Sequence, residues 1–459
     1  MHALRSIATA RRGLATVAAS KPYGTEYSTR LASELLLTFS PQCPWSPPPL
    51  PSRSRSSAPV SSCCPAHSFG LVDRTIPSHQ IAGLSPLAHN LPNSTAVVLM
   101  NMGGPSTVPE TGDFLSRLFH DGDLIPLPFQ SYLAPLIAKR RTPKIEAQYA
   151  AIGGGSPILK WTRIQGEGMA KLLDELSPGT APHKAYVAFR YANPLTETCL
   201  DEMRKDGVER AVAFTQYPQY SCSTTGSSIN EMWRVLQERS KAGNEKPIQW
   251  SVIDRWGVHE GYVDAVARNI EKSLADYPAE VRNKVVLLFS AHSLPMSVVN
   301  RGDPYPAEVG ATVSAIMTRL GHTNPYRLTW QSQVGPSAWL GPQTSDAIKG
   351  LGKRHNDMLL IPVAFTSDHI ETLFELDLEY LEEAKEMGLT GVRRCESLND
   401  SPHFIRAIAD IAAKHLKSPQ ATSVQMGLRC PGCTNEKCGH AKEFFANHPP
   451  PKGDGIAAN

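Results

Sequence analysis

The chain has 459 residues, 41% hydrophobic and 19% charged, an ordinary globular composition that can bury a large core in one two-lobed unit or two domains. Its net charge of +3 hides an uneven split: residues 1–94 hold eight Lys/Arg against three Asp/Glu, and the remainder holds 38 against 40, which argues against a general nucleic-acid binder. No apolar run approaches the roughly 18 residues of a membrane span, so any membrane contact is expected to be peripheral.

Residues 1–20 bear arginines, are rich in Ala, Ser and Thr, lack a continuous apolar core, and precede the first acidic residue, Glu26. That is the composition of a mitochondrial transit peptide. Residues 41–65 are dense in Pro and Ser and read as extended and unpacked, so residues 1–93 are set apart from the fold.

The ordered chain opens with the apolar run Ala96 to Asn101, which breaks at Gly103-Gly104-Pro105 before a helical stretch around Asp113 to Phe119. Leu124 to Ile137 is conspicuously apolar and is followed by Lys139-Arg140-Arg141. An apolar lip beside basic residues suits a membrane interface or an amphipathic ligand with carboxylates, and equally a core helix with a basic end. Gly103-Gly104 and Gly153-Gly154-Gly155 fit neither phosphate-binding glycine pattern, so no nucleotide cofactor is indicated.

The strand-then-turn pattern recurs at Tyr186–Tyr191, Ala211–Thr215, Ile248–Ile253, Val285–Phe289, Tyr326–Trp330, Met358–Phe365 and Val392–Glu396, with helical segments between. Four strands and then four more predict an α/β protein of two similar Rossmann-like halves, each a four-stranded parallel sheet flanked by helices, with a cleft between them. The expected divisions are 94–268, 269–420 and a Cys-rich tail at 421–459. A faint echo between Ala213–Gln216 and Ala364–Ser367 supports the duplication. Ligands of such sheets bind beyond the carboxyl ends of the strands, which nominates Met102, Gln216, His292 and Asp368 to Glu371.

His292 lies two residues beyond one apolar run. A half-buried structural histidine is the plain reading of it alone; with His369 at a second strand end, the pair suits proton transfer or cation binding near neutral pH. After the run ending at Phe365, Asp368, Glu371, Glu375, Glu379 and Glu382 fall within an arc of roughly 80° on an α-helix. Asp368 and Glu371 could be a capping box, but carboxylates continuing down one stripe suit a path for a cation.

Three of nine cysteines crowd into the tail as Cys430, Cys433 and Cys438. From spacing alone they read as a zinc site with His440 as fourth ligand, ahead of an iron–sulfur cluster.

From about residue 96 to 445 the chain resembles ferrochelatase of the mitochondrial animal and fungal type. The resemblance rests on Asn101–Pro105, Phe214–Gly226, Ser290–Pro295 and Phe365–Leu373, in order. It implies insertion of ferrous iron into protoporphyrin IX, the terminal step of haem synthesis, with release of two protons. His292 matches the family's histidine facing the pyrrole nitrogens, as proton acceptor, iron ligand or both. Glu371, with Asp368 and His369 and then Glu375 and Glu379, matches the acidic path for proton export or iron delivery. Met102, Tyr305 and Trp339 match residues around the macrocycle, and Arg141, Tyr149 and Ser156 those binding its propionates. His259 and Asp410 match further implicated positions.

The resemblance also implies a two-iron, two-sulfur cluster held by Cys222, Cys430, Cys433 and Cys438, a homodimer, and the matrix face of the mitochondrial inner membrane. A non-catalytic haem or porphyrin carrier of the same fold would not need both His292 and the Glu371 stripe, and an electron-transfer module built on the tail would leave the cleft residues without a role.

Overall fold

A computed structural model describes residues 94–125, 127–243 and 246–447; the expected leader at 1–93 and the end of the tail lie outside them. Among the described residues the strands are β1 (Thr95–Asn101), β2 (His183–Phe189), β3 (Arg210–Thr215), β4 (Gln249–Ile253), β5 (Val286–His292), β6 (Tyr326–Gln331), β7 (Asp357–Pro362) and β8 (Gly391–Arg394). Each overlaps a strand expected from the sequence, with ends that shift by up to three residues. They form two four-stranded parallel sheets in the orders β2-β1-β3-β4 and β6-β5-β7-β8, so the second half repeats the first strand for strand.

The central strands β1 and β5 are buried along almost their whole length because both faces of each sheet are covered, whereas the edge strands β2, β6 and β8 carry exposed polar residues. Side chains alternate across a strand, so Val97 and Leu99 of β1 join Val212 and Phe214 of β3 in one core, while Ala96, Val98 and Met100 enter another. The first core also takes Leu287 and Phe289 of β5 and Leu359 and Ile361 of β7, together with the helices Glu260–Ala275 and Pro402–Leu416. The two sheets therefore share one apolar interior. The expected division at 268/269 falls inside the helix Glu260–Ala275. The tail packs on the first half: the Ala421 carbonyl accepts from the Val252 amide at 2.7 Å, and Met426 and Phe445 are buried beside Trp250.

Some boundaries differ from the sequence reading for physical reasons. β5 runs on to His292, which pairs with Gln331, because the main-chain ladder to β6 continues past the apolar run through Ser290 and Ala291. β7 stops at Pro362, which has no amide hydrogen to donate, and the chain turns at Ala364 with a left-handed φ of 73°. The echo between Ala213–Gln216 and Ala364–Ser367 thus compares a strand with a turn; the shared strand order, not this echo, carries the duplication.

The halves are also tied by a buried amide. Gln165, on the helix Ile158–Leu176, donates to the Thr366 carbonyl at 2.9 Å and to the Asn399 carbonyl at 2.8 Å. Both acceptors lie on loops of the second half, one of them the turn after β7.

Candidate active site

The carboxyl ends of the strands deliver the functional side chains. After β1, the Asn101 side chain accepts from the Met102 amide at 2.7 Å, and Gly103 takes φ 78° where a Cβ would meet the Phe189 ring. After β3, Gln216 is buried with its side-chain oxygen unpartnered. The second sheet contributes His292 at the end of β5, Gln331 and Ser332 at the end of β6, and the turn from Val363 to Ile370 after β7.

His292 Nδ1 lies 2.8 Å from Glu371 Oε2, with the imidazole 39% exposed and the carboxylate 20%. Burial opposes charge on His292, but Glu371, through charge and hydrogen bond, and Glu375 beyond it outweigh burial and raise the pKa. Burial likewise pushes Glu371 up, and the opposing pull of His292, His369 and Ser332 brings it well below the usual carboxylate range. Glu375 moves the other way, because burial and the Glu371 charge both favour its neutral form. Two carboxyl groups four residues apart are thus pushed in opposite directions.

His369 donates from Nδ1 to the Ser367 carbonyl at 2.9 Å, which leaves Nε2 3.9 Å from Glu371 Oε1. The Trp339 ring stands edge-on to His292 at 6.5 Å. Tyr149 and Tyr305 are both buried; burial and then the Glu371 charge raise their pKa values, which sets them within its field.

The acidic helix differs from the expectation. Glu371 to Tyr380 is π-helical and only Leu381–Glu386 is α-helical. The carboxylates recur at Glu371, Glu375 and Glu379, and Glu379 meets Glu383 rather than Glu382. Glu379 feels Glu383 and Lys144, whereas Glu382 faces out and pairs with Lys385 at 3.1 Å. Asp368 makes no capping bond. Its carboxylate receives Arg394 at 3.1 Å, Ser397 at 2.6 Å, Asn399 at 2.8 Å and Thr372 at 3.2 Å, and so clamps the turn after β7 to the loop after β8. Despite burial, these partners hold its pKa down.

The apolar lip is at the surface. Phe129 and Tyr132 are 80% exposed and Leu136 64%, at the start of the helix Gln130–Ala151, and the Arg141 guanidinium lies 5.8 Å over the Phe119 ring. Ser156 is buried, with its amide on the Pro105 carbonyl at 2.7 Å, and packs where a Cβ on Gly104 would stand. His259 and Asp410 come near one another: His259 caps the helix Glu260–Ala275, and Asp410 holds Arg406 at 2.9 Å.

Cys222, Cys430, Cys433 and Cys438 line one cavity with Arg301 and Asp303. His440 does not line it; its ring stacks on Trp233 at 6.1 Å. Arg301 reaches Cys222 Sγ at 3.8 Å, and the buried Tyr220 hydroxyl has no oxygen or nitrogen partner. Burial raises the Cys222 thiol pKa, as it does those of Cys430 and Cys438. Among the described residues, no three His, Cys, Asp or Glu side chains close into a metal-ligating group. Asp123 ties this region to the lip, accepting from Asn435 at 2.7 Å, Asn230 at 2.9 Å and Lys437 at 3.2 Å.

Gln331 and Ser332 were not singled out by sequence reasoning. Gln331 donates to the Glu371 carbonyl at 3.0 Å, and the Ser332 hydroxyl lies 2.6 Å from Glu375 Oε2. Their position at a strand end was the available signal; neither residue type advertises chemistry.

The family model for Ferrochelatase matches residues 94–416. The chain is 61% identical over 353 residues to a mitochondrial ferrochelatase of Xenopus laevis, covering 76% of this chain and 85% of that one. It is 60% identical over 355 residues to that of Bos taurus, covering 77% and 85%. A solved structure, SirB from Bacillus subtilis with Fe3+, aligns at a TM-score of 0.41 and 12% identity over 70% of this chain and 95% of that one.

The opposed shifts at the site generate a test by nuclear magnetic resonance. In the native chain the His292 imidazole titrates above its ordinary value of ~6.5, so it is protonated below the raised pKa and becomes neutral as pH rises through it. Glu371→Gln removes the main opposing charge and leaves burial dominant, so the titration moves to lower pH. An unchanged midpoint contradicts the pairing.

Proposed function

The chain belongs to the ferrochelatase family, and we propose that the His292–Glu371 pair is the centre of its reaction, the insertion of ferrous iron into protoporphyrin IX that completes haem synthesis and releases two protons. The 2.8 Å contact between the two residues carries this reading. With Nδ1 engaged by Glu371, His292 keeps Nε2 for the substrate, where it takes a pyrrole proton, ligates the iron, or both. The poorly acidic N–H groups of a porphyrin need such a positioned base.

Glu371 orients the imidazole and stabilises its charged form. His369 adds a second imidazole, and Glu375 and Glu379 continue the column along which protons leave or iron arrives. Asp368 serves this stretch through the turn it clamps. Met102, Tyr305 and Trp339 bound the macrocycle, and Arg141, Tyr149 and Ser156 meet its propionates. The exposed Phe129, Tyr132 and Leu136, close in sequence to Lys139, Arg140 and Arg141, support peripheral contact with an anionic membrane surface, the matrix face of the inner membrane. A mitochondrial leader within residues 1–93 and a homodimer complete the reading. His259 and Asp410 stay assigned on resemblance alone.

The four cysteine thiols fit a two-iron, two-sulfur cluster by their chemistry. Cys222 shares their cavity and His440 does not, and Arg301 and the unpartnered Tyr220 hydroxyl offer hydrogens to anionic sulfur. When bound, such a cluster supplies a covalent junction between the tail and the loop after β3.

His292→Ala should abolish metal insertion while leaving porphyrin binding largely intact, since a group acting in the transition state contributes little to ground-state affinity; near-normal turnover in a folded variant rejects the assignment. Arg141→Leu should instead weaken porphyrin binding with a smaller loss at saturation, and unchanged apparent affinity removes Arg141 from the site. Cys222→Ser should lose the visible iron–sulfur absorption and lower the unfolding temperature, whereas His440→Ala should do neither; zinc retained in Cys222→Ser contradicts the cluster.

A further inference from the structure

We propose that Ser332 and Gln331 are positioning residues for metal insertion, holding the Glu371 and Glu375 carboxylates together as one hydrogen-bonded unit at the end of β6. The inference rests on the reading of Glu371 as part of the reacting centre. Its geometric basis is that one hydroxyl touches both groups: Ser332 Oγ lies 2.6 Å from Glu375 Oε2 and 3.2 Å from Glu371 Oε2. A hydroxyl can donate and accept, so it can sit between two carboxyl groups and serve either.

Neither contact is the accident of a mobile surface side chain. Ser332 is half-buried and holds a left-handed backbone, φ 66°, directly after the strand. That conformation is uncommon outside glycine and is retained only where the surroundings impose it.

Gln331 supplies the surroundings. It is fully buried, and its amide nitrogen forks to the Glu371 carbonyl at 3.0 Å and to Glu375 Oε2 at 3.1 Å. Its amide oxygen accepts from the Ser290 hydroxyl at 2.6 Å, and Ser290 lies 2.7 Å from the Thr344 hydroxyl, itself buried. Rotating the amide would break this whole set, so the orientation is determined. β5, β6 and the first turn of the π-helix are thereby joined through two side chains, and the second carboxyl is kept beside the first.

The test uses the full-length enzyme. Ser332→Gly removes the hydroxyl while suiting the left-handed backbone, so the unfolding temperature should be unchanged or raised. Loss of a hydrogen bond to a carboxyl group predicts a fall in kcat of about tenfold or more, with the KM for protoporphyrin unchanged. In the Ser332→Gly background, Glu375→Gln should cost less than it does alone, because the two act as a unit. The proposal is overturned by a native kcat in Ser332→Gly, by independent effects of the two substitutions, or by a raised KM at unchanged kcat, which would assign the hydroxyl to porphyrin binding. Glu371→Gln separates the two levels: if it leaves kcat intact, the underlying site reading fails, whatever Ser332→Gly does.

Discussion

An imidazole and a carboxylate 2.8 Å apart, partly shielded from water, impose conditions on much of the molecule. His292 is the last residue of β5, a central strand of its sheet, and Glu371 begins the helix after β7, the neighbouring strand. The β5–β7 register, Ser290 opposite Pro362, sets the height at which the two chains leave the sheet, and the Val363 amide still bonds the Ser290 carbonyl at 3.0 Å. The turn between must then return the chain to His292. The Asp368 clamp, the left-handed Ala364 and the Gln165 amide from the other half hold it there, so the contact is as rigid as the shared core beneath it.

The same partial burial separates the two acids. Burial makes every charge costly, and it is offset for Glu371 by His292, His369 and Ser332, whereas at Glu375 burial and the Glu371 charge outweigh the help of Ser332, His292 and Gln331. One carboxyl is held anionic and its neighbour is pushed toward neutrality.

Much of this was legible in the sequence. Parallel strands covered on both faces carry short apolar, branched runs, which marked all eight strands even where edge strands such as β6 and β8 keep polar residues, and the strand-end rule then picked out His292 and the Glu371 stretch. The π-helix could not be read, because a spacing of four suits α and π turns alike. Ser332 and Gln331 could not, because their role comes from three elements meeting rather than from residue type. Cys222 is some two hundred residues from the tail cysteines whose cavity it shares, so local spacing pointed to His440, which does not line that cavity and stacks its ring on Trp233. The echo between Ala213–Gln216 and Ala364–Ser367 misled in detail because similar residues served a strand in one half and a turn in the other.

The most direct test of the account is anaerobic incubation of the purified protein with ferrous iron and protoporphyrin IX, followed by absorbance, for the native chain and Glu371→Gln side by side. The expected result is replacement of the porphyrin bands by those of haem in the native chain alone, with porphyrin still bound by the variant. Porphyrin bound by both chains with unchanged bands would contradict it and indicate a carrier; equal haem formation by both would remove the His292–Glu371 pair from the reaction.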